Sequence, residues 1–162
     1  HILARRQRQM CIRDSYLNYY CSVLEDNDFS FKKINQYQNF NQFEEKYIII
    51  NKVGFLSKLY AQSTIAYVGG GFSKSGIHNI IEPAAASNPV IFGSNFLNSN
   101  KSDAEGLIDV SGGFSVDSYE LFFEKINWLL DKNNYNNTSK NCKTFVTENS
   151  GSTEKILKEL YE

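Results

Sequence analysis

The segment Gly69-Gly70-Gly71-Phe72-Ser73-Lys74-Ser75-Gly76-Ile77-His78-Asn79-Ile80-Ile81-Glu82-Pro83 concentrates the chemistry of this chain. Its three leading glycines follow an apolar run, where a missing Cβ lets backbone approach a ligand closely. A helix that opens after such a loop offers unpaired N–H groups and a partial positive charge to a phosphate. Two familiar phosphate motifs are absent. A P-loop needs Gly-Lys-Ser/Thr, but Ser73 precedes Lys74. A dinucleotide fingerprint needs glycine where Lys74 stands. Glu82 follows Asn79 by three residues and His78 by four, so a helix puts all three at one end and on one side. A carboxylate that accepts two hydrogen bonds suits a ribose diol. The residue chemistry leaves a second reading equally open: Glu82 complements the helix dipole in the first turn, and Asn79 is a cap. His78 alone reads as a packed or solvated histidine.

Alternating elements must hold this segment in place. Tyr16–Leu24 suggests a short helix and Phe29–Ile34 a strand, and Asn35–Asn41 is a polar loop. Tyr47-Ile48-Ile49-Ile50 is a β-branched run suited to a strand covered on both faces. Phe55, Leu56, Leu59 and Tyr60 predict a helix over Gly54–Gln62. Thr64–Val68 is the next buried strand, and the helix after the glycine loop is expected over Asn79–Ser87, with Pro83 near its start. Val90-Ile91-Phe92 and Gly113–Val116 are further strands, with a short helix over Ser102–Ile108 between them. Asp117 is the expected cap of the following helix, with Glu120 completing a capping box. Asn133-Asn134 is expected to break that helix, Tyr135–Glu148 forms a weaker one, and Ser152 caps a last one. This order predicts an α/β fold, a Rossmann-like parallel sheet flanked by helices. Ligands of such sheets bind at the carboxyl ends of strands, which points to the loop after Val68.

Charge is unevenly placed along the 162 residues, whose formal net charge is −1. All four arginines (Arg5, Arg6, Arg8, Arg13) lie in the first 15 residues, and thirteen lysines oppose seventeen acidic residues after them. An acidic remainder argues against a nucleic-acid partner, which needs clustered Lys and Arg. No apolar run approaches the roughly 20 residues of a membrane span. Cys11, Cys21 and Cys142 have neither zinc-ligand spacing nor an even count, so three reduced thiols are expected. The only methionine is Met10, and residues 5–15 resemble translated sequencing-adaptor sequence. Residues 1–15 are therefore expected to be a non-native leader on a piece of a longer protein, with 16–162 forming a partial domain.

At three places the sequence resembles a known family. Gly69-Gly70-Gly71-Phe72, Gly76-Ile77-His78-Asn79-Ile80-Ile81-Glu82-Pro83-Ala84 and Pro89-Val90-Ile91-Phe92-Gly93 resemble the C-terminal domain of 3-deoxy-D-manno-octulosonic acid (Kdo) transferases. Gly54-Phe55-Leu56-Ser57-Lys58-Leu59-Tyr60 resembles the family's Gly-x-Leu-x-x-Leu-Tyr helix, and Gly112-Gly113 matches in order. The chain departs from the family at Ser87-Asn88, where Gly-Lys is common, at Ile77, where a second glycine is common, and at Ser94, where proline is usual. The resemblance implies the C-terminal half of a GT-B glycosyltransferase fold. It implies that Gly70, Gly71 and Gly76 shape a donor-nucleotide loop, with His78 part of the motif. It also implies that Asn79 faces the phosphate or sugar of CMP-Kdo and that Glu82 holds the ribose hydroxyls. Asn98 corresponds to the Asn of the family's Asn-Phe pair.

The implied activity of the intact enzyme is transfer of Kdo from CMP-Kdo to a lipid A precursor in lipopolysaccharide biosynthesis. The implied place is the cytoplasmic face of the bacterial inner membrane. No cofactor or metal is implied beyond the donor substrate. The catalytic base and the acceptor surface belong to the family's N-terminal domain, so residues 16–162 are expected to be inactive alone. Two alternatives remain at this stage: a GT-B enzyme using a UDP-sugar, and a non-catalytic nucleotide-binding module.

Overall fold

The computed structural model describes residues 17–34, 45–50, 54, 56–74, 76–96, 100–151 and 160. The expected leader over 1–15, the polar loop over 35–41, Asn98 and the helix after Ser152 lie outside the described residues. The chain divides into two compact units, His1–Phe55 and Leu56–Glu162.

In the first unit, helix α1 (17–26) ends where Asp28 adopts a left-handed conformation, φ 55°. Asp28 N–H donates to the Glu25 carbonyl and Phe29 N–H to the Leu24 carbonyl. These are the paired closing bonds of a Schellman motif. Strand β1 (Phe31–Ile34) then pairs parallel with β2 (Tyr47–Ile50), Phe31 opposite Tyr47 and Ile34 opposite Ile50. All four residues of β2 are only half-buried, so it lacks the two-sided cover expected from its apolar run.

The second unit carries α2 (Leu56–Tyr60), β3 (Ala66–Val68), α3 (Ile81–Ala85), β4 (Val90–Gly93), α4 (Lys101–Asp109), β5 (Gly113–Val116), α5 (Tyr119–Leu129) and α6 (Lys132–Asn149). Its sheet has the order β3-β4-β5, with every pairing parallel. β4 is central and fully buried, as an unbroken apolar run in a parallel sheet requires. Register places Val68, Val90 and Phe92 on one face, and Tyr67, Ile91 and Phe114 on the other. The first face packs against Ile80 just before α3, Ala84 of α3, Ala104 and Leu107 of α4, and Cys142 of α6. The second packs against Leu121, Phe122, Ile126 and Leu129 of α5. Among the described residues the strands form two parallel sheets, one in each unit.

Several element ends differ from the sequence expectation for identifiable reasons. Ser118, not Asp117, caps α5: its Oγ accepts from Leu121 N–H at 3.3 Å. Asp131 caps α6 by accepting from the N–H groups of Asn133 and Asn134 at 2.9 and 3.0 Å. Asn133-Asn134, which reads as a break, is therefore the first turn of an 18-residue helix. The turn residues themselves were legible, and what they hid was a cap that restarts the helix at once.

Candidate functional site

Loop 69–80 leaves the carboxyl end of β3 and returns into α3, the position where a parallel sheet presents ligands. Its shape rests on two glycine contacts. A Cβ on Gly71 would lie 2.5 Å from Gly93 Cα, so the loop backbone touches the end of β4 directly. A Cβ on Gly70 would collide with the Gly76 carbonyl oxygen, and Gly70 and Gly76 both have positive φ, 96° and 75°. These glycines shape the loop by packing on backbone, and Gly71 and Gly76 are buried.

Two asparagines fasten the loop from the far side of β4. Asn95 N–H donates to the Gly71 carbonyl at 2.9 Å, its Nδ2 donates to the Ser73 carbonyl at 2.5 Å, and its carbonyl accepts from Ile77 N–H at 3.2 Å. Asn100 Nδ2 donates to the carbonyls of Ile77 and His78 at 3.0 and 3.5 Å. His78 N–H in turn reaches the Gly69 carbonyl at 3.2 Å. The sequence reading missed both fasteners. Its available signal was the run of asparagines after β4, which did not distinguish Asn95 and Asn100 from Asn98.

His78, Asn79 and Glu82 are all exposed at the start of α3. Asn79 Oδ1 accepts from Ile81 N–H at 2.9 Å and from Glu82 N–H at 3.4 Å. Asn79 Nδ2 donates to Glu82 Oε1 at 3.4 Å. Asn79 is therefore a cap lying outside the helix, and α3 starts at Ile81 rather than at the expected Asn79. Pro83, third in the helix, loses no bond, because the first N–H groups have no intrahelical partner. The His78 ring lies beside the glycine turn, with Cδ2 3.4 Å from where a Gly70 Cβ would stand.

The turn after α3 is anchored to the end of α2. Asn88 is buried, and its Nδ2 donates to the Tyr60 carbonyl at 2.7 Å and to Ser63 Oγ at 2.8 Å. Burial pushes the Tyr60 phenol above its ordinary pKa, and the nearby Glu82 carboxylate adds to the rise. Glu82 thus has an asparagine amide on its own turn and a phenol on its flank, while its exposed carboxylate remains open to solvent. The arrangement allows both roles that the residue chemistry left open. Asn79 caps, and Glu82 still presents an acceptor at the mouth of the loop.

An open cleft of about 350 Å³ lies beside the same loop, on the sheet face carrying Tyr67. Tyr67, Phe72, Asp117, Ser118, Tyr119 and Phe122 line it. Tyr67 and Phe122 meet edge to face with centroids 5.4 Å apart.

No protein-family model matches the chain. It is 30% identical over 129 residues to a bifunctional glycosyltransferase/methyltransferase of Fusobacterium nucleatum, an alignment covering 79% of this chain and 20% of that protein. It is 32% identical over 114 residues to a 3-deoxy-D-manno-octulosonic acid transferase of Rickettsia bellii, covering 68% of this chain and 26% of the relative. A transferase of the same name from Chlamydia trachomatis is 30% identical over 137 residues, covering 84% and 31%. The chain therefore spans between about a fifth and a third of the length of these relatives. Among solved structures it is similar to the C-terminal CMP-Kdo binding domain of WaaA from Acinetobacter baumannii, with a TM-score of 0.67 at 16% identity over 82% of this chain and 68% of that one. The parallel sheet, its flanking helices and this likeness give the chain the α/β fold of that C-terminal domain. In sequence, the chain is similar to part of the Kdo transferases of Rickettsia bellii and Chlamydia trachomatis.

Proposed function

We propose that this chain binds the nucleotide end of CMP-Kdo through loop 69–80 and the start of α3. The observation that carries the reading is the exposed Glu82 carboxylate, held beside Asn79 at the carboxyl end of a parallel strand. Glu82 accepts from the two ribose hydroxyls, whose geometry suits one carboxylate. The fixed loop backbone faces the phosphate, with no metal in the reading. The relatives named as Kdo transferases and the CMP-Kdo binding domain of the Acinetobacter protein support CMP-Kdo as the donor.

In the intact enzyme, an acceptor hydroxyl of a lipid A precursor attacks the anomeric carbon of Kdo. A base outside these 162 residues takes its proton, and CMP leaves with the bonding electron pair. This chain binds and stabilises the departing CMP. The reaction belongs to lipopolysaccharide biosynthesis at the cytoplasmic face of the inner membrane. No described helix is long and apolar enough to cross a membrane.

Calorimetric titration of the chain with CMP and with UMP tests the donor assignment. CMP is expected to bind and UMP to bind more weakly. Preferential UMP binding overturns the choice of donor, and binding of neither nucleotide overturns the site.

A further inference from the structure

The charge pattern around the loop singles out one more residue. Between Lys58 and Lys101 the chain has one Lys or Arg, Lys74, and one Asp or Glu, Glu82. Both belong to the loop and helix that leave β3, and both are exposed. Lys101, at the start of α4, already faces Glu105 at 3.7 Å. Lys74 has no ion-pair partner among the described residues.

The backbone around Lys74 is held on both sides. Ser73 N–H and Oγ–H both donate to the Gly70 carbonyl, at 3.0 and 2.9 Å. Gly76 N–H and Asn95 Nδ2 both donate to the Ser73 carbonyl, at 3.2 and 2.5 Å. A turn tied at Gly70, Ser73 and Gly76 fixes where the Lys74 stem starts and leaves its ammonium to reach outward. Such a cation matters more here because residues 14–162 are net acidic, with thirteen lysines against eighteen carboxylates once Asp14 is counted. No broad positive field draws an anionic ligand to this loop, so the attraction must be local.

We propose that Lys74 is an affinity-determining residue that pairs with the phosphate of the bound nucleotide, while Glu82 holds its ribose. This rests on the donor-nucleotide reading above. The division of labour predicts which part of the ligand each residue senses. Lys74 acts as a point charge on the phosphate, so arginine replaces it and an uncharged amide does not. Its contribution falls with salt, as an exposed charge pair's does.

The test is calorimetric titration of the full chain, wild type, Lys74→Gln and Lys74→Arg, with CMP and with cytidine at low and moderate salt. Lys74→Gln is expected to weaken CMP binding by about fivefold to tenfold at low salt, the order of a charge-assisted contact in partial solvent. It leaves cytidine affinity unchanged and flattens the salt dependence, and Lys74→Arg keeps CMP affinity within about twofold. Equal CMP affinity in wild type and Lys74→Gln overturns this inference and leaves the donor reading standing. Parallel loss of CMP and cytidine in Lys74→Gln also overturns it, since that pattern marks a change of loop shape. A wild-type chain that binds cytidine and CMP equally well overturns the phosphate contact. A wild-type chain that binds neither overturns the donor reading, and this inference with it.

Discussion

The two faces of the β3-β4-β5 sheet are built to different standards. The face carrying Val68, Val90 and Phe92 is sealed by α3, α4 and α6, and Val90, Phe92, Ala84, Ala104, Leu107 and Cys142 are each 0% exposed. The face carrying Tyr67, Ile91 and Phe114 has α5 as its helical cover, and Tyr67 remains 47% exposed at the mouth of the cleft. Both faces come from alternate residues of the same three strands. Cover, not strand composition, makes the difference, and the loop leading to Glu82 is mounted from the sealed side, where Ile77 and Ile80 enter the core. The exposed site thus rests on the most rigidly packed part of the unit.

That contrast fixes an order of expected effects. Phe92→Ala empties a fully buried position against Leu107 and Gly113 and is expected to cost about 3–5 kcal/mol. Tyr67→Ala on the open face is expected to cost about 1 kcal/mol, chiefly its edge-to-face contact with Phe122. Urea unfolding of the two variants breaks the comparison if their costs are alike. Gly71→Ala comes next. Its Cβ would press on the Gly93 backbone, and overpacking of this kind costs about 1–3 kcal/mol. Because the strain falls on the loop, nucleotide affinity is expected to fall with stability in this variant.

A smaller effect appears at high pH. The Cys142 thiol donates to the carbonyls of Gly112 and Asn88 at 2.9 and 3.2 Å, where the chain enters β5 and β4. Burial pushes its pKa up to about 12, above the 9.0 of an ordinary thiol. Below pH 9 both folded and unfolded chains keep the thiol protonated, so it adds no pH dependence. Between about 9 and about 12 the unfolded chain loses that proton and the folded one retains it, so stability falls as pH rises. The difference in unfolding free energy between wild type and Cys142→Ala is expected to shrink across this window. A constant difference would mean that α6 does not seal the thiol from water.

The smallest effect comes at the end of α3. Ser87 has φ 65°, with Ser87 N–H bonded to the Ala84 carbonyl and Asn88 N–H to the Pro83 carbonyl. This is a Schellman motif with serine where glycine is favoured. Ser87→Gly is expected to raise stability by up to about 1 kcal/mol, read as a small upward shift in melting temperature. Ser111, φ 56°, closes α4 by the same pair of bonds, to Ile108 and Leu107, and offers an independent repeat.

Most of the sealed side was legible in the sequence. Val90-Ile91-Phe92 announced the central strand because β-branched and aromatic runs bounded by Pro89 and Gly93 have few other solutions. The motif from Gly76 to Glu82 located the exposed trio. Less was legible where a side chain reaches backbone far along the chain. Asn95 and Asn100 fasten the loop from more than 20 positions away, and Asn88 reaches back to Tyr60. No local periodicity encodes such contacts. The cap of α5 was misplaced by one residue because Asp117 and Ser118 compete for the same helix start, and α3 begins two residues after the expected Asn79, which caps it from outside. The covering of Tyr47–Ile50 was overread because an apolar run records what a strand can bury, not what packs on it.

The central claim is that Glu82 is a ligand-binding carboxylate as well as a first-turn residue. Its most direct test is a titration of CMP into wild type and Glu82→Ala, both confirmed folded by circular dichroism. Two charge-assisted hydrogen bonds to a ribose are worth enough that Glu82→Ala should bind CMP at least about tenfold more weakly. Equal affinity in the two proteins would contradict the account and leave Glu82 as nothing more than the partner of Asn79 in a helix cap.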